Sequence, residues 1–379
     1  MKIIQIVENL DKGAVENWLV NIFLESRKLQ PEWEWTFYCI LGQKGRLDQK
    51  VTDAGGKIIY SPYTLSHKVQ FLKHLRKTLQ QGHYDILHAH HDYLSGFYLL
   101  ATAGLSFKKR FLHVHNTDKG LPIGNALLHR VMVPVLGKLA VVFSDSIIGI
   151  SEDTLREFVG EKQRANGKNT IVYYGIDLGA FSVPGDAGAF RRELNLPADA
   201  KVLLFTGRMN ELKNPVFVVD ILNSLLQVRQ DVYAVFVGKG GEEEKVIQKS
   251  ETYGIRDRIR MCGWRDDIPA IMKAADVFVF PRVEYPREGL GLVVVEAQAA
   301  GLPMVLSKGI VADAIIIDEL AHVLSLNNNP AEWAMKIDTV LKAPAPISRQ
   351  LAFERMMQSG FELRKATENL LSLYEPCEE

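Results

Sequence analysis

Pro286-Arg-Glu-Gly-Leu-Gly-Leu-Val-Val-Val-Glu-Ala-Gln-Ala-Ala-Gly-Leu-Pro303 lies between two short apolar runs, Val277–Phe280 and Met304–Ser307. The first run reads as a buried strand that Pro281 closes. A glycine-rich loop then leads into an apolar helix, which Gly301-Leu302-Pro303 terminates: glycine takes the left-handed cap and proline cannot continue the helix. Strand, loop, helix and strand in this order make one crossover of a parallel sheet. Such a loop presents backbone N–H groups and a positive helix end to a diphosphate. Glu288 stands in the loop, and Glu296 stands in the helix between Val293-Val-Val and Ala297. Apolar neighbours predict a buried Glu296, and a buried carboxylate needs hydroxyl partners, of which a ribose supplies two.

The same alternation extends through the chain. In the first half the candidate strands are Ile3–Val7, Thr36–Leu41, Lys57–Tyr60, Ile86–Ala89, Arg110–His115 and Ser146–Ile150. The second half restarts the series with Val202–Thr206, Tyr233–Val237, Ile259–Cys262, Val277–Phe280, Met304–Ser307 and His322–Leu324. Between them Val183-Pro-Gly-Asp-Ala-Gly188 reads as a linker, with the boundary near residues 178–190. This predicts two doubly wound α/β domains, 1–180 and 181–352. Phe353 to Tyr374 has helical spacing and reads as a packed terminal helix, about 353–379, expected to pack back on the first domain.

Length and composition agree with this plan. The chain has 379 residues, 47% hydrophobic and 24% charged, enough for two cores. Lys plus Arg and Asp plus Glu are both 45, which argues against nucleic acid as a partner. The charge is uneven, however: residues 1–180 hold 22 basic and 17 acidic side chains, and residues 181–379 hold 23 and 28. Nine of the ten histidines also lie in the first half, which makes it the half to meet a phosphate-rich or membrane-bound partner. Cys39, Cys262 and Cys377 show no paired spacing, which suits a reducing cytoplasm. The opening apolar run, broken by Gln5, is too short for a signal-peptide core and reads as a strand. No stretch reaches the roughly 18 uncharged apolar residues of a membrane span.

A second motif lies upstream. Leu203-Leu-Phe-Thr-Gly207-Arg208 runs off a buried strand, and Lys213-Asn-Pro215 opens a helix. Arg208 and Lys213 thus leave the carboxyl end of a strand, where open α/β sheets bind ligands. Two fixed cations can neutralise a leaving diphosphate without a metal.

Taken with Gly13-Ala-Val-Glu16, His115, Ile150-Ser-Glu152, Tyr174-Gly-Ile-Asp177, Val237-Gly238-Lys-Gly240 and the Glu288–Glu296 segment, the chain resembles a family 4 retaining glycosyltransferase of the GT-B architecture. The resemblance spans nearly the whole chain. It implies two Rossmann-like domains facing across a cleft and a nucleotide-diphosphate-sugar donor, with a UDP-sugar favoured. It also implies a glycan or lipid-diphosphate-linked acceptor, and no metal or other cofactor. By the same resemblance Arg208 and Lys213 hold the diphosphate and Glu296 the ribose. Glu288 lies by the sugar, which main-chain groups of Gly289, Leu290 and Gly291 also meet. Gly207 and Gly238 line the donor site, Gly13 closes over the phosphates, and His115 sits beneath the sugar without being a general base. Retention is explained in such enzymes by a front-face reaction in which the leaving phosphate takes the acceptor proton. The His113-Val-His115-Asn116 sequence resembles the branch that builds cell-surface polysaccharides.

Three positions depart from that pattern. Lys12 precedes a single Gly13 where a glycine pair is frequent, Tyr174 stands where asparagine is usual, and Lys308-Gly-Ile-Val-Ala-Asp313 replaces a glycine pair followed by glutamate. The identity of the sugar is left open by the last of these. His88, His90 and His91, and His113 and His115, alternate along strand ends, a spacing that suits either zinc or substrate contacts. Leu65 to Leu79 reads as a basic amphipathic helix. With the apolar stretch Leu121–Phe143 it points either to an anionic membrane, at the inner face of the plasma membrane, or to an ordinary surface helix. A nicotinamide dehydrogenase lacks support, because the first loop has one glycine where three are needed. A nucleotide-sugar epimerase of the same architecture and a non-catalytic nucleotide-sugar-binding subunit are the remaining alternatives.

Overall fold

A computed structural model of the protein describes residues 1–11, 13–117, 126–160, 168–182 and 187–375. Lys12, Asp118, the start of the apolar stretch at Leu121, the Val183–Asp186 part of the expected linker and Cys377 lie outside the described residues. The chain divides into two compact units, Met1–Ile176 with Gly360–Glu379, and Asp177–Ser359.

In the first unit β1 (Lys2–Val7), α1 (Ala14–Leu29), β2 (Glu34–Cys39), α2 (Asp48–Asp53), β3 (Lys57–Tyr60), α3 (Lys68–Gly82), β4 (Ile86–Ala89), α4 (Ser95–Leu99), β5 (Lys109–Val114), α5 (Ala126–Phe143), β6 (Ser146–Gly149), α6 (Glu152–Val159) and β7 (Asn169–Ile171) follow one another. The sheet has seven strands in the order β3-β2-β1-β4-β5-β6-β7, every pairing parallel. Six strands fall within two residues of their expected ends. The edge strand β7, three residues of mixed polarity, carries no apolar run and was not expected.

Because successive residues of a strand face opposite ways, each face of this sheet has its own chemistry. Ile4 and Ile6 of β1, Leu87 and Ala89 of β4, and Leu112 and Val114 of β5 form one core with Phe71 and Leu75 of α3, Leu99 of α4, Ala140 of α5 and Leu155 of α6. The alternate residues, Gln5, His88, Phe111 and His113, face the other way. Gln5 and His88 are register partners, as are His88 and Phe111.

The second unit contains α7 (Ala187–Glu193), β8 (Lys201–Thr206), α8 (Pro215–Leu225), β9 (Val232–Val237), α9 (Glu243–Thr252), β10 (Ile259–Met261), α10 (Ile268–Ala274), β11 (Val277–Phe280), α11 (Leu292–Ala299), β12 (Met304–Ser307), β13 (Ala321–Leu324), α12 (Pro330–Lys342) and α13 (Arg349–Met357). Its six strands run parallel in the order β10-β9-β8-β11-β12-β13. In each sheet the strand order reverses beside the first strand, between β1 and β4 and between β8 and β11. Loops leaving the carboxyl ends of those strands are where such sheets bind ligands.

Two boundaries require correction. The units divide after Ile176 rather than after residue 180, because Asp177 caps a short helical turn, Leu178–Phe181, whose Leu178 and Phe181 are buried. The expected single helix over 353–374 is two. Helix α13 belongs to the second unit, and the chain then returns to the first at Gly360, not at residue 353. At the return Phe361 is fully buried and its ring stacks on Tyr173 at 4.6 Å. Ile176 N–H donates to the Phe361 carbonyl at 2.9 Å, and Leu363 N–H to the Ile176 carbonyl at 3.1 Å. The C-terminal helix, Leu363–Tyr374, then packs on α1 and places Tyr374 among Trp35, His88 and Phe111.

Candidate functional site

In the second unit β8 ends at Thr206, and Gly207 turns the chain with φ of +146°. The turn is held from the neighbouring loop: Gly207 N–H donates to the Val237 carbonyl at 3.0 Å and Met209 N–H to the Lys239 carbonyl at 2.9 Å. Gly238 has φ of +123°, and a Cβ there would stand 2.0 Å from the Gly207 carbonyl oxygen. Only glycine lets the two loops meet so closely. Arg208, next along, is exposed, and its guanidinium has no hydrogen-bond partner among the described residues. Lys213 comes five residues later, just before Pro215 opens α8.

Facing this loop is the one that leaves β11. Arg282 is buried, with 4% of its surface exposed, and its Nε donates to Glu288 Oε2 at 2.6 Å. Lys213 Nζ forms an ion pair with the same oxygen. Burial alone would raise the pKa of Glu288, but the charges and hydrogen bonds of Lys213 and Arg282 outweigh it and hold the carboxyl below its ordinary value. Burial is also the largest influence on Lys213, and it lowers the ammonium pKa although Glu288 acts in the opposite sense. Arg282 further donates to the carbonyls of Val283, at 2.8 Å, and Pro286, so it braces the whole loop. Sequence reading missed it. The signal available was an arginine directly after the Pro281 that ends a strand.

Gly289, Leu290 and Gly291 carry the chain into α11, with Gly291 at φ of +82° as its N-cap. The first turn of a helix leaves amide N–H groups without intrahelical partners, so this end favours an anion. Glu296 lies on the second turn. Its side chain is part-exposed, yet burial among apolar neighbours pushes its pKa up to about 7, and no hydrogen-bond partner reaches it among the described residues. Two residues on, Gln298 is fully buried with both ends of its amide filled. Its Nε2 donates to the carbonyls of Val294 (3.0 Å) and Ala314 (2.7 Å), and its Oε1 accepts from Ile316 (2.7 Å) and Ile317 (2.8 Å). Gln298 therefore ties α11 to the segment after β12. Gln298→Leu is expected to cost about 2–4 kcal/mol of stability, read as a lowered urea midpoint, since it leaves buried peptide groups unpaired.

In the first unit, Gly13 caps α1 with an ordinary φ of −88°, and Asn17 Nδ2 donates to its carbonyl at 2.8 Å. His115, one residue past β5, is buried, and both of its ring nitrogens are engaged: Nδ1 with the Tyr174 hydroxyl and Nε2 with His90 Nδ1 at 3.1 Å. Its backbone N–H donates to Asp92 Oδ1 at 2.7 Å. Burial, with further contributions from neighbouring imidazoles, holds its pKa well below the usual histidine value. The tyrosine in place of the usual asparagine thus closes one side of this imidazole.

The structure gathers Gly207, Arg208, Lys213, Gly238, Glu288, Gly289, Leu290, Gly291 and Glu296 on the second unit and Gly13 and His115 on the first. Comparisons with known proteins decide what carries these loops. The family model described as Glycosyl transferases group 1 matches residues 186–355, and that described as Glycosyltransferase Family 4 matches residues 30–180. This chain belongs to glycosyltransferase family 4. EpsF of Bacillus subtilis is 24% identical to it over 376 residues, 98% of this chain and 96% of that one. D-inositol 3-phosphate glycosyltransferase of Mycobacterium leprae is 29% identical over 308 residues, 78% of this chain and 70% of that one. The glycosyltransferase also shares its fold with Anabaena Alr3699/HepE, with a TM-score of 0.80, 20% identity and coverage of 98% and 99%. That structure was solved in complex with UDP, and a second with UDP-glucose. The fold is GT-B, built of two Rossmann-like domains.

Proposed function

We propose that this glycosyltransferase takes a sugar from a nucleoside-diphosphate donor, a UDP-sugar first among them, and transfers it with retention and without a metal. The observation that carries the reading is the pair of loops at the carboxyl ends of β8 and β11. Among the described residues they combine an unpaired Arg208, a part-buried Lys213–Glu288–Arg282 ion cluster, a glycine-rich helix entry and a partnerless carboxyl at Glu296. Arg208 and Lys213 hold the diphosphate and draw off the charge that develops on it as the glycosidic bond breaks. Glu296 takes the ribose hydroxyls, and Glu288 and the amides of Gly289–Gly291 meet the sugar. On the first unit, Gly13 and His115 are the residues we assign to the donor. Glu288, neutralised by two cations, is a poor nucleophile, which supports a front-face path in which the leaving phosphate accepts the proton of the acceptor hydroxyl. UDP in the related Anabaena structure supports the choice of base.

The test is a thermal-shift screen of nucleotide sugars, in which a donor at 100 times its Kd should stabilise the fold by about 2.7 kcal/mol. Proton NMR of the product from the best donor should then show the anomeric configuration of the donor. An inverted product would overturn retention. Turnover abolished by chelator and restored by manganese or magnesium would overturn metal independence.

The acceptor is a lipid-diphosphate-linked glycan met at an anionic membrane, as in the building of a cell-surface polysaccharide. Lys68, Lys73 and Lys77 of α3 are exposed, and Val131, Val135, Lys138 and Val142 of α5 form an outward stripe at helical spacing. A groove of about 680 Å³ lined by Tyr93, Val133, Lys138, Val142 and Phe158 lies beside that stripe. No helix among the described residues is long and apolar enough to cross a membrane. Arg76, by contrast, donates to the carbonyls of Ala101 (2.9 Å) and Ala103 (2.7 Å) and serves the fold. The protein is expected to float with anionic liposomes at low salt, each lysine contributing about 1 kcal/mol, and to release them at high salt. Lys68, Lys73 and Lys77 changed to Glu should remove the binding. Indifference to anionic liposomes at both salt concentrations would make the acceptor a soluble one.

A further inference from the structure

Beneath α1 and the C-terminal helix, six polar side chains of the first unit, each more than nine-tenths buried, form an unbroken line of hydrogen bonds. Tyr174 meets His115 Nδ1, and His115 Nε2 lies 3.1 Å from His90 Nδ1. His90 Nε2 lies 2.7 Å from Gln5 Oε1, and Gln5 Nε2 donates to the Tyr374 hydroxyl at 3.2 Å. The Tyr374 hydroxyl in turn lies 2.6 Å from His88 Nδ1.

The amide of Gln5 is the one member whose donor and acceptor atoms cannot exchange roles by moving a proton, so its orientation sets every proton in the line. With Oε1 turned to His90, His90 donates from Nε2 and its Nδ1 is bare. His115 must then donate from Nε2, which leaves its Nδ1 bare to accept from the Tyr174 hydroxyl. On the other side Tyr374 accepts from Gln5 and gives its own proton to His88 Nδ1. Reversing the amide would reverse each bond and leave the Tyr174 proton without an acceptor among the described residues, in place of the His88 Nε2 proton, which lacks one in the observed orientation; the direction of the line is therefore that of the observed amide, with Nε2 on Tyr374 and Oε1 on His90.

We infer that this line is a tautomer lock, in which Tyr374, Gln5, His90 and Tyr174 are positioning residues that hold His115 as a neutral imidazole protonated at Nε2. Burial supports it, since the pKa values of His88, His90, His113 and His115 all fall below the ordinary one. The competing use of the cluster is a metal: ligand atoms of His88, His90 and His113 lie within 4.8 Å of one another. Both nitrogens of His90 are already in hydrogen bonds, however, and a dication there would meet three neutral ligands without an anion. The lock's effect on turnover rests on the action proposed for His115 on the donor; the lock itself rests on the fold.

The experiment is imidazole NMR of the full-length protein labelled with 15N-histidine, without donor, on wild type, Tyr374→Phe and Tyr174→Phe. Each variant removes one oxygen and fills the same space. Wild type should show His115 in one form with its proton on Nε2, and each variant should show both tautomers at His115. With an active donor, kcat should fall about tenfold in both variants while KM for the donor stays within about twofold, the mark of lost positioning. Mixed tautomers in wild type, or an unchanged His115 in both variants, would overturn the lock. Altered tautomers with unchanged kcat would overturn its role in turnover. Zinc taken up at one ion per chain, moving the His88, His90 and His113 signals together, would replace the lock with a metal centre. If wild type turns over no nucleotide sugar, the functional reading fails, and the NMR result still decides the lock.

Discussion

Arg208→Ala is expected to lower kcat/KM by roughly 30- to 1,000-fold, about 2–4 kcal/mol of transition-state stabilisation, while the folded protein melts where wild type does. The two halves of that statement come from different observations. The guanidinium is exposed and without a partner among the described residues, so its removal leaves nothing buried and unpaired there. Its expected work lies wholly in meeting charge that grows on the diphosphate as the sugar departs. Lys213→Ala should lose activity to a similar degree but behave differently in the melt. Glu288 would keep Arg282 alone as counter-ion, so a loss of stability of about 1–3 kcal/mol should accompany the loss of turnover. Steady-state kinetics beside thermal melts separates the cases. A well-folded Arg208→Ala protein with wild-type turnover would remove Arg208 from the site.

The second large effect is expected at Glu296. Burial raises its folded pKa to about 7 from an ordinary 4.5, so the folded chain holds this proton more tightly than the unfolded one. Its contribution to stability is therefore lost as pH rises from about 4.5 through 7, and Glu296→Gln should be the more stable protein above pH 7, by on the order of 1–3 kcal/mol. Donor affinity should move the other way. A carboxylate accepts from both ribose hydroxyls and a protonated acid does so poorly, so wild type should bind a UDP-sugar more tightly as pH passes upward through about 7, with proton release. The glutamine variant should bind about 10- to 100-fold more weakly at pH 8 and show a flat profile, since hydrogen bonds to a charged group contribute about 1.5–3 kcal/mol. Calorimetry in buffers of different ionisation heat reads affinity and proton release together. A wild-type profile already flat, or a variant that binds as tightly, would take the ribose away from Glu296.

Much of the architecture was legible in the chain because parallel strands covered on both faces must be apolar runs. Val277–Phe280 and Lys57–Tyr60 appear where the sequence places them. The edge strand Asn169–Ile171 was invisible for the converse reason: it has few apolar residues and one neighbour. The donor-side loops were legible through glycines and charges at strand ends. What tied them together was not, since Arg282 reaches Glu288 through a turn that no periodicity predicts. Gln5 is the instructive case. It stands out as the lone polar residue in Ile3–Val7 and was read only as a break in an apolar run. Its meaning depends on Tyr374, at the far end of the chain.

That distance has a consequence for how the protein is made. Residues 177–359 are continuous in sequence, so the second unit needs no segment from outside that span to close its sheet. The first unit begins earlier and finishes later. Until Leu363–Tyr374 emerges, α1 lacks the helix that packs on it, and Gln5 and His88 lack the hydroxyl they share. The first unit is thus expected to fold fully only after Leu363–Tyr374 is available, because a late helix seals its earliest strand.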